Sequence, residues 1–102
     1  MIEMITKDKI NLTEVQRAAI ITTLNSVRGA RYAQDTENPD SMLKIELFYM
    51  LKHLPFTTAR YFSSPKGKEQ FEALKNVSGE DGYTVKFIMD TFSMQHKIRY
   101  AQ

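Results

Sequence analysis

Apolar residues recur in this chain at the three- and four-residue spacing of an α-helix, and this spacing constrains the fold more than any other feature. In the first such stretch the apolar face carries Ile20, Leu24 and Val27. The last stretch repeats the pattern with Val85, Ile88, Met89 and Phe92. The sequence therefore predicts an all-α protein.

Polar start signals precede both stretches. Thr13 and Gln16 have the spacing of a capping box, in which each side chain bonds the backbone N–H of the other residue. Ser78 and Asp81 imitate that spacing, with the shorter Asp in place of Glu. We therefore expect the first helix to begin after Thr13 and the last to begin at Ser78 and end near Ile98.

A more apolar helix is predicted between them, from Met42 to Leu54. Asn38 is a suitable N-cap, Pro39 suits the first helical position, and Pro55 stops the helix. Because its apolar residues cover much of its circumference, we expect neighbours on two sides and place this helix at the centre of the fold.

The rest of the chain completes a compact bundle of four to five short helices. Residues 56–62 fit either a short turn of helix or an irregular aromatic linker. Ser64 and Pro65 then open a helix that is expected to reach about Val77. Residues 12–102 are expected to form a single helical domain, and residues 1–11 a polar lead-in to it.

Composition excludes several classes of protein. The 102 residues include no cysteine, which excludes disulfides, thiolate metal sites and cysteine nucleophiles. The net charge of +2 is a smaller excess than phosphate-neutralising proteins usually carry. The first residues lack the features of a signal peptide, and no apolar run reaches the roughly 18 residues of a membrane span. We expect a cytoplasmic protein with no membrane partner.

Acidic residues cluster before the central helix at Asp35, Glu37 and Asp40. Counted from Asp35, Glu46 takes the last position of a calcium-binding loop. The match fails because Pro39 occupies a ligand position and Asp40 replaces the required glycine. We expect a solvated loop here, with a divalent-cation site at the three acids as the alternative.

The sequence contains no recognisable catalytic, cofactor or nucleotide motif. Neither His53 nor His96 has a second ligand three or four residues away, which a helical metal site requires. No serine lies in a glycine-flanked nucleophile turn, and the four glycines form no phosphate loop. We predict that the protein is not an enzyme and holds no cofactor.

Two hypotheses about binding follow. The leading one is an accessory or adaptor protein that contacts an unidentified protein partner through exposed apolar residues, for which the candidates are Tyr49, Tyr61, Phe62 and Met94. The second is a small nucleic-acid-binding or regulatory protein, because basic residues alternate with aromatic ones. Its candidates are Arg28, Arg31, Arg60, Lys97 and Arg99.

The order of the elements adds a resemblance. Residues 12–14 (Leu-Thr-Glu) open a helix, an acidic loop follows, and the next helix carries Glu46. Residues 72–81 (EALKNVSGED) then lead into residues 85–90 (VKFIMD). This order resembles the two halves of small TerB-like (tellurite-resistance B type) helical domains. The resemblance covers about residues 12–98, rests on helical pattern more than on identities, and implies a small helical domain.

The chain departs from that family where metal would bind. The family has an Ala-Asp-Gly turn after the first helix and again after a later one, with acids that can hold metal. Here residues 33–35 read Ala-Gln-Asp, without the glycine, and residues 94–97 read Met-Gln-His-Lys, without the acid. The resemblance therefore implies a fold and gives no function.

Overall fold

The computed structural model describes residues 12–29 and 39–101, and these residues form five helices that pack together. The helices are α1 (Glu14–Arg28), α2 (Asp40–His53), α3 (Pro55–Ser63), α4 (Pro65–Leu74) and α5 (Val85–His96). The described residues contain no strand beyond one isolated antiparallel bridge between Ser78 and Thr84. The predicted all-α fold is confirmed.

Helix α1 begins with the predicted capping box. The Thr13 hydroxyl accepts from the Gln16 N–H at 3.0 Å, and the Thr13 N–H donates to the Gln16 side chain at 3.1 Å. The helix ends at Gly29, which has a left-handed φ of 68° and donates its N–H to the Asn25 carbonyl. A residue without Cβ adopts this conformation at little cost, so Gly29 closes the helix.

Helix α2 begins at Asp40, two residues before Met42 and one residue after Pro39. Pro39 is the extended residue before the helix, not its first helical residue, and Asn38 lies outside the described residues. Asp40 holds this end in place, because its carboxylate accepts from the Leu12 N–H at 2.8 Å and from Arg17 at 2.7 Å.

The inner face of α2 packs against α1, α3 and α5, which explains the apolar residues on that face. Leu43, Leu47, Met50 and Leu51 are buried there. The outer face of the same helix is exposed and also apolar.

Residues 55–63 form a helix and not an irregular linker. Helix α3 packs against all four other helices. Its turn into α4 is tight, because Ser64 accepts from the Gly67 N–H at 3.0 Å and donates to the Tyr61 carbonyl at 2.6 Å. The predicted Ser64–Pro65 start of α4 is confirmed, but the helix ends at Leu74 and does not reach Val77.

The predicted start of the last helix at Ser78 is wrong. Thr84 is the N-cap of α5, and its hydroxyl accepts from the Phe87 N–H at 3.0 Å. Ser78 instead bridges to Thr84, and Gly82 takes a φ of 88° in the turn between them. The helix ends at His96, two residues before the predicted end.

One continuous core joins the helices. Its members are buried apolar side chains from every helix, together with Val77 and Tyr100: Ala19, Ile20, Leu24, Leu43, Leu47, Phe48, Met50, Leu51, Ala59, Phe62, Phe71, Leu74, Val77, Val85, Met89 and Tyr100.

Candidate interaction surface

An open groove of about 270 Å³ runs along one side of α5, and we call it the α5 groove. One wall comes from the corner between α2 and α3, and the other from α5. Its lining residues are mostly apolar: Leu51, Lys52, Pro55, Phe87, Ile88, Thr91, Phe92 and Gln95. Ligand and peptide grooves in proteins have this concave, mainly apolar character.

Exposed aromatic rings flank both ends of the groove. At the beginning of α5, Tyr83 and Phe87 stack with their ring centroids 4.8 Å apart. Toward its end, Phe56 meets Phe92 edge-to-face at 4.7 Å, and His96 stacks on Phe92 at 4.2 Å. Tyr83, Phe87 and Phe56 are each about half exposed. Aromatic rings left in water beside a groove are typical of a surface that binds a partner.

Lys52 is the only charged side chain in the lining of the α5 groove. Its Nζ lies 3.6 Å from an Asp81 carboxylate oxygen, and both side chains are about half exposed. A pair this long and this solvated contributes little to stability, so a charged group of a partner can compete for either side chain at low cost.

A second cavity of about 240 Å³ lies beneath the residues that follow α5, but its polar groups bond one another. Lys86 donates to Asp90 at 2.6 Å, the Tyr100 hydroxyl also donates to Asp90, and Ser93 donates to the Ile98 carbonyl. These bonds hold residues 98–100 against α5.

The bonds in this second cavity shift two pKa values. Burial acts to raise the pKa of Asp90, but the hydrogen bonds from Lys86 and Tyr100 together with the charge of Lys86 outweigh it and lower that pKa. Burial, assisted by the hydrogen bond to Asp90 and its charge, raises the pKa of Tyr100.

A second apolar surface occupies the outer face of α2, where Met42, Ile45 and Tyr49 are exposed. The Tyr49 ring stacks on His53 at 4.2 Å, and the Arg28 guanidinium lies 5.4 Å from the ring centroid. Because this face is one convex helix surface and the α5 groove is concave, it offers a partner less than the α5 groove does.

The predicted partner residues do not form one surface. Tyr49 and Met94 are exposed, Met94 to 79%. The exposure expected for Phe62 is wrong, because its side chain is 0% exposed and packs against Phe71. Tyr61 is half-buried, and its hydroxyl is buried without a hydrogen-bond partner.

Sequence reasoning missed Phe56, Tyr83 and Phe87. A signal for Phe87 was available, because its position on the helical wheel lies off the face defined by Val85, Ile88, Met89 and Phe92. No comparable signal exists for Phe56, whose exposure depends on how α3 meets α5.

The basic candidates are spread over several elements. Arg28 pairs with Glu46, so its charge is already matched. Arg60 lies on α3, Lys97 and Arg99 follow α5, and all three are exposed. Arg31 lies outside the described residues, and a nucleic-acid surface formed by the five stays a prediction.

The candidate cation site cannot be assembled from the described residues, because Asp35 and Glu37 lie outside them. Both carboxylate oxygens of Asp40 accept hydrogen bonds from protein groups. Within residues 12–29 and 39–101, no group of three or more acidic or histidine side chains is placed to hold a metal ion. No helix among these residues is long and apolar enough to cross a membrane.

Comparison of the chain with protein-family models, with curated proteins and with solved structures found no match.

Proposed function

We propose that this protein is a non-enzymatic adaptor that binds a helical segment of another protein in the α5 groove. The observation that carries the proposal is the groove itself, a mainly apolar channel with exposed aromatic rings at both ends. An amphipathic helix that lays its apolar face into such a groove is a common mode of peptide recognition. The proposed binding needs no cofactor and no catalytic group.

Burial supplies the driving force in this proposal. Phe56, Tyr83 and Phe87 expose apolar surface that a bound helix would remove from water, at about 25 cal/mol for each Å². Aromatic residues at the centre of an interface commonly dominate its binding energy. Phe87 belongs both to the lining of the groove and to the Tyr83 stack, so we expect it to contribute most.

The resemblance to TerB-like domains and the cytoplasmic location belong to the same proposal. Both are compatible with a small helical adaptor, and neither identifies its partner.

The test is a pull-down from lysate of the source organism with three forms of the protein. Phe87→Glu places a charge in the groove, and Ile45→Glu places the same charge on the outer face of α2. The two positions are a matched pair, because Phe87 is 51% exposed and Ile45 is 55% exposed. Circular dichroism before the pull-down checks that all three forms are folded.

The proposal expects a protein that the wild type and Ile45→Glu recover and that Phe87→Glu does not, with recovery unaffected by nuclease. A protein lost only with Ile45→Glu would move the binding surface to α2 and contradict the proposal. Recovery that disappears with nuclease for every form would instead favour the nucleic-acid hypothesis and its basic residues.

A further inference from the structure

The two ends of the α5 groove differ in net charge: Lys52 offsets part of the acidic charge of Glu80 and Asp81 at one end, and Lys97 supplies the formal positive charge at the other. Asp81, preceded by Glu80, lies just before α5, whereas His96 and Lys97 end the helix, and all four side chains are exposed. Helix α5 has 12 residues, so these ends lie about 18 Å apart along its axis. Burial lowers the pKa of Lys44, and the negative charges of Asp40 and Glu80 offset part of this effect. Asp81 contacts Lys52, which lines the groove.

The backbone dipole of α5 also favours one direction of a bound helix. A helix carries partial negative charge at its C-terminal end and partial positive charge at its N-terminal end. The C-terminal end of α5 lies at His96, beside Phe56. The α5 dipole therefore favours the partially positive N-terminal end of a bound helix here. Acidic side chains, which usually occupy the first turn of a helix, would be attracted by Lys97 and not by the dipole.

The length of the groove matches the repeat of an amphipathic helix. Its α5 wall extends over nine residues, from Phe87 to Gln95, which is about 12 Å along the axis. Apolar anchors at positions i, i+4 and i+7 of a partner helix span about 10.5 Å. Three anchors can therefore reach from the Tyr83–Phe87 stack to the rings of Phe56 and Phe92.

We infer that the α5 groove binds an amphipathic helix of a partner protein antiparallel to α5, with an acidic first turn against His96 and Lys97 and a basic last turn against Asp81. This inference rests on the proposed function and adds the direction and charge pattern of the partner.

The test uses two synthetic peptides of about 14 residues, long enough for the three anchors. Both carry leucine at the same i, i+4 and i+7 positions, and both are acetylated, amidated and hydrocarbon-stapled on the face away from the anchors. One has glutamates in its first turn and lysines in its last turn, and the other has these charges exchanged. Circular dichroism checks that the two are equally helical, because the exchanged charges by themselves disfavour a helix.

Fluorescence anisotropy at about 50 mM salt then gives the affinity of each labelled peptide, under conditions where exposed charges are weakly screened. We expect the acid-first peptide to bind about fivefold more tightly, as expected for two or three exposed charge pairs of modest energy. Phe87→Glu is expected to remove the binding of both peptides.

A protein variant provides the reciprocal control. In the wild type, the Tyr83 N–H donates to Asp81 Oδ1 at 3.1 Å. Asp81→Asn removes the charge but keeps an oxygen that can accept this hydrogen bond. Combined with Lys97→Glu, it is expected to abolish or invert the preference. If the double variant keeps the wild-type preference, the inferred polarity is wrong.

The remaining outcomes separate the inference from the proposed function. Equal binding of the two peptides, removed by Phe87→Glu, would support the groove and overturn the inferred direction. No binding of either peptide would overturn both. Sedimentation of the protein alone tests whether it self-associates. If it does, and Phe87→Glu removes the self-association, a second copy of this chain occupies the groove, and the inference of a partner helix is overturned.

Discussion

The α-carbon of Gly67 lies directly against the carbonyl of Tyr61, so closely that a Cβ at position 67 would come within 1.7 Å of the carbonyl oxygen. This contact sets the turn between α3 and α4. The obstacle is backbone, which cannot rotate away as a side chain can.

We expect Gly67→Ala to lower the free energy of unfolding by about 3 kcal/mol or more, the upper range for overpacking. Urea denaturation followed by circular dichroism measures this change. Gly29→Ala is the matched control, because no atom lies within 4 Å of its added Cβ and only the left-handed φ is unfavourable, at about 1–2 kcal/mol. Equal losses for the two variants would contradict the steric account.

Asp40 ties the beginning of α1 to the beginning of α2 through Leu12 and Arg17. The side chains of Asp40 and Arg17 are each 22% exposed, so water screens this pair less than it screens a surface pair. We expect Asp40→Ala to cost about 1.5–3 kcal/mol, because it removes charge-assisted hydrogen bonds. Thermal unfolding at neutral pH measures the loss.

The exposed pair of Glu72 and Lys75 is the control for Asp40. Its Glu side chain is 69% exposed, and Glu72→Ala should change stability by less than about 0.5 kcal/mol. If Asp40→Ala were equally mild, the contacts of Asp40 with Leu12 and Arg17 would not stabilise the fold as described.

The Tyr100–Asp90 hydrogen bond predicts a stability difference that depends on pH. The pKa of Asp90 is lowered in the folded protein. The contribution of Asp90 to stability is therefore present above the unfolded pKa of about 3.9 and is lost as pH falls through the folded pKa. The pKa of Tyr100 is raised, so its contribution is present below about pH 10 and is lost as pH rises further.

Tyr100→Phe should therefore be less stable than the wild type by about 1 kcal/mol between roughly pH 5 and 9, and the difference should shrink at both extremes. Urea titrations across this range measure it. Tyr83→Phe, on an exposed ring, is the control and should change stability little. A constant difference at every pH would mean that the hydrogen bond is not responsible.

Phe62 and Met94 were both expected on a partner surface, and the structure separates them. Phe62 is fully buried among aromatic rings, so Phe62→Ala should cost about 3–5 kcal/mol of unfolding free energy. Met94→Ala, on an exposed side chain, should change it by less than about 0.5 kcal/mol. Chemical denaturation of both variants is the measurement, and a mild Phe62→Ala would contradict its place in the core.

The first turn of α5 depends on Thr84 and not on Ser78. Thr84→Ala removes the hydroxyl that accepts from the Phe87 N–H and should cost about 1 kcal/mol. Ser78→Ala should cost less, because the bridge at Ser78 uses backbone atoms. Equal costs would restore Ser78 as a contributor to the helix start.

The sequence correctly predicted the helices whose start depends on the side chain of one capping residue. The Thr13–Gln16 box and the Ser64–Pro65 pair lie where expected, because each bonds backbone within the same turn. The same reasoning failed at Ser78, since Thr84 competes for the cap and the turn at Gly82 lets the chain reach it. Local capping rules cannot choose between two candidates that differ in their tertiary contacts.

The sequence by itself determined that this chain forms amphipathic helices, because helical spacing depends only on which residues lie three and four apart. Only the tertiary structure decided which apolar side chains remain in water. Phe62 and Phe56 belong to the same short helix, yet one packs in the core and the other borders the α5 groove. Their difference follows from the helices that α3 meets on each side, and contacts between distant elements leave no periodic signal in the sequence.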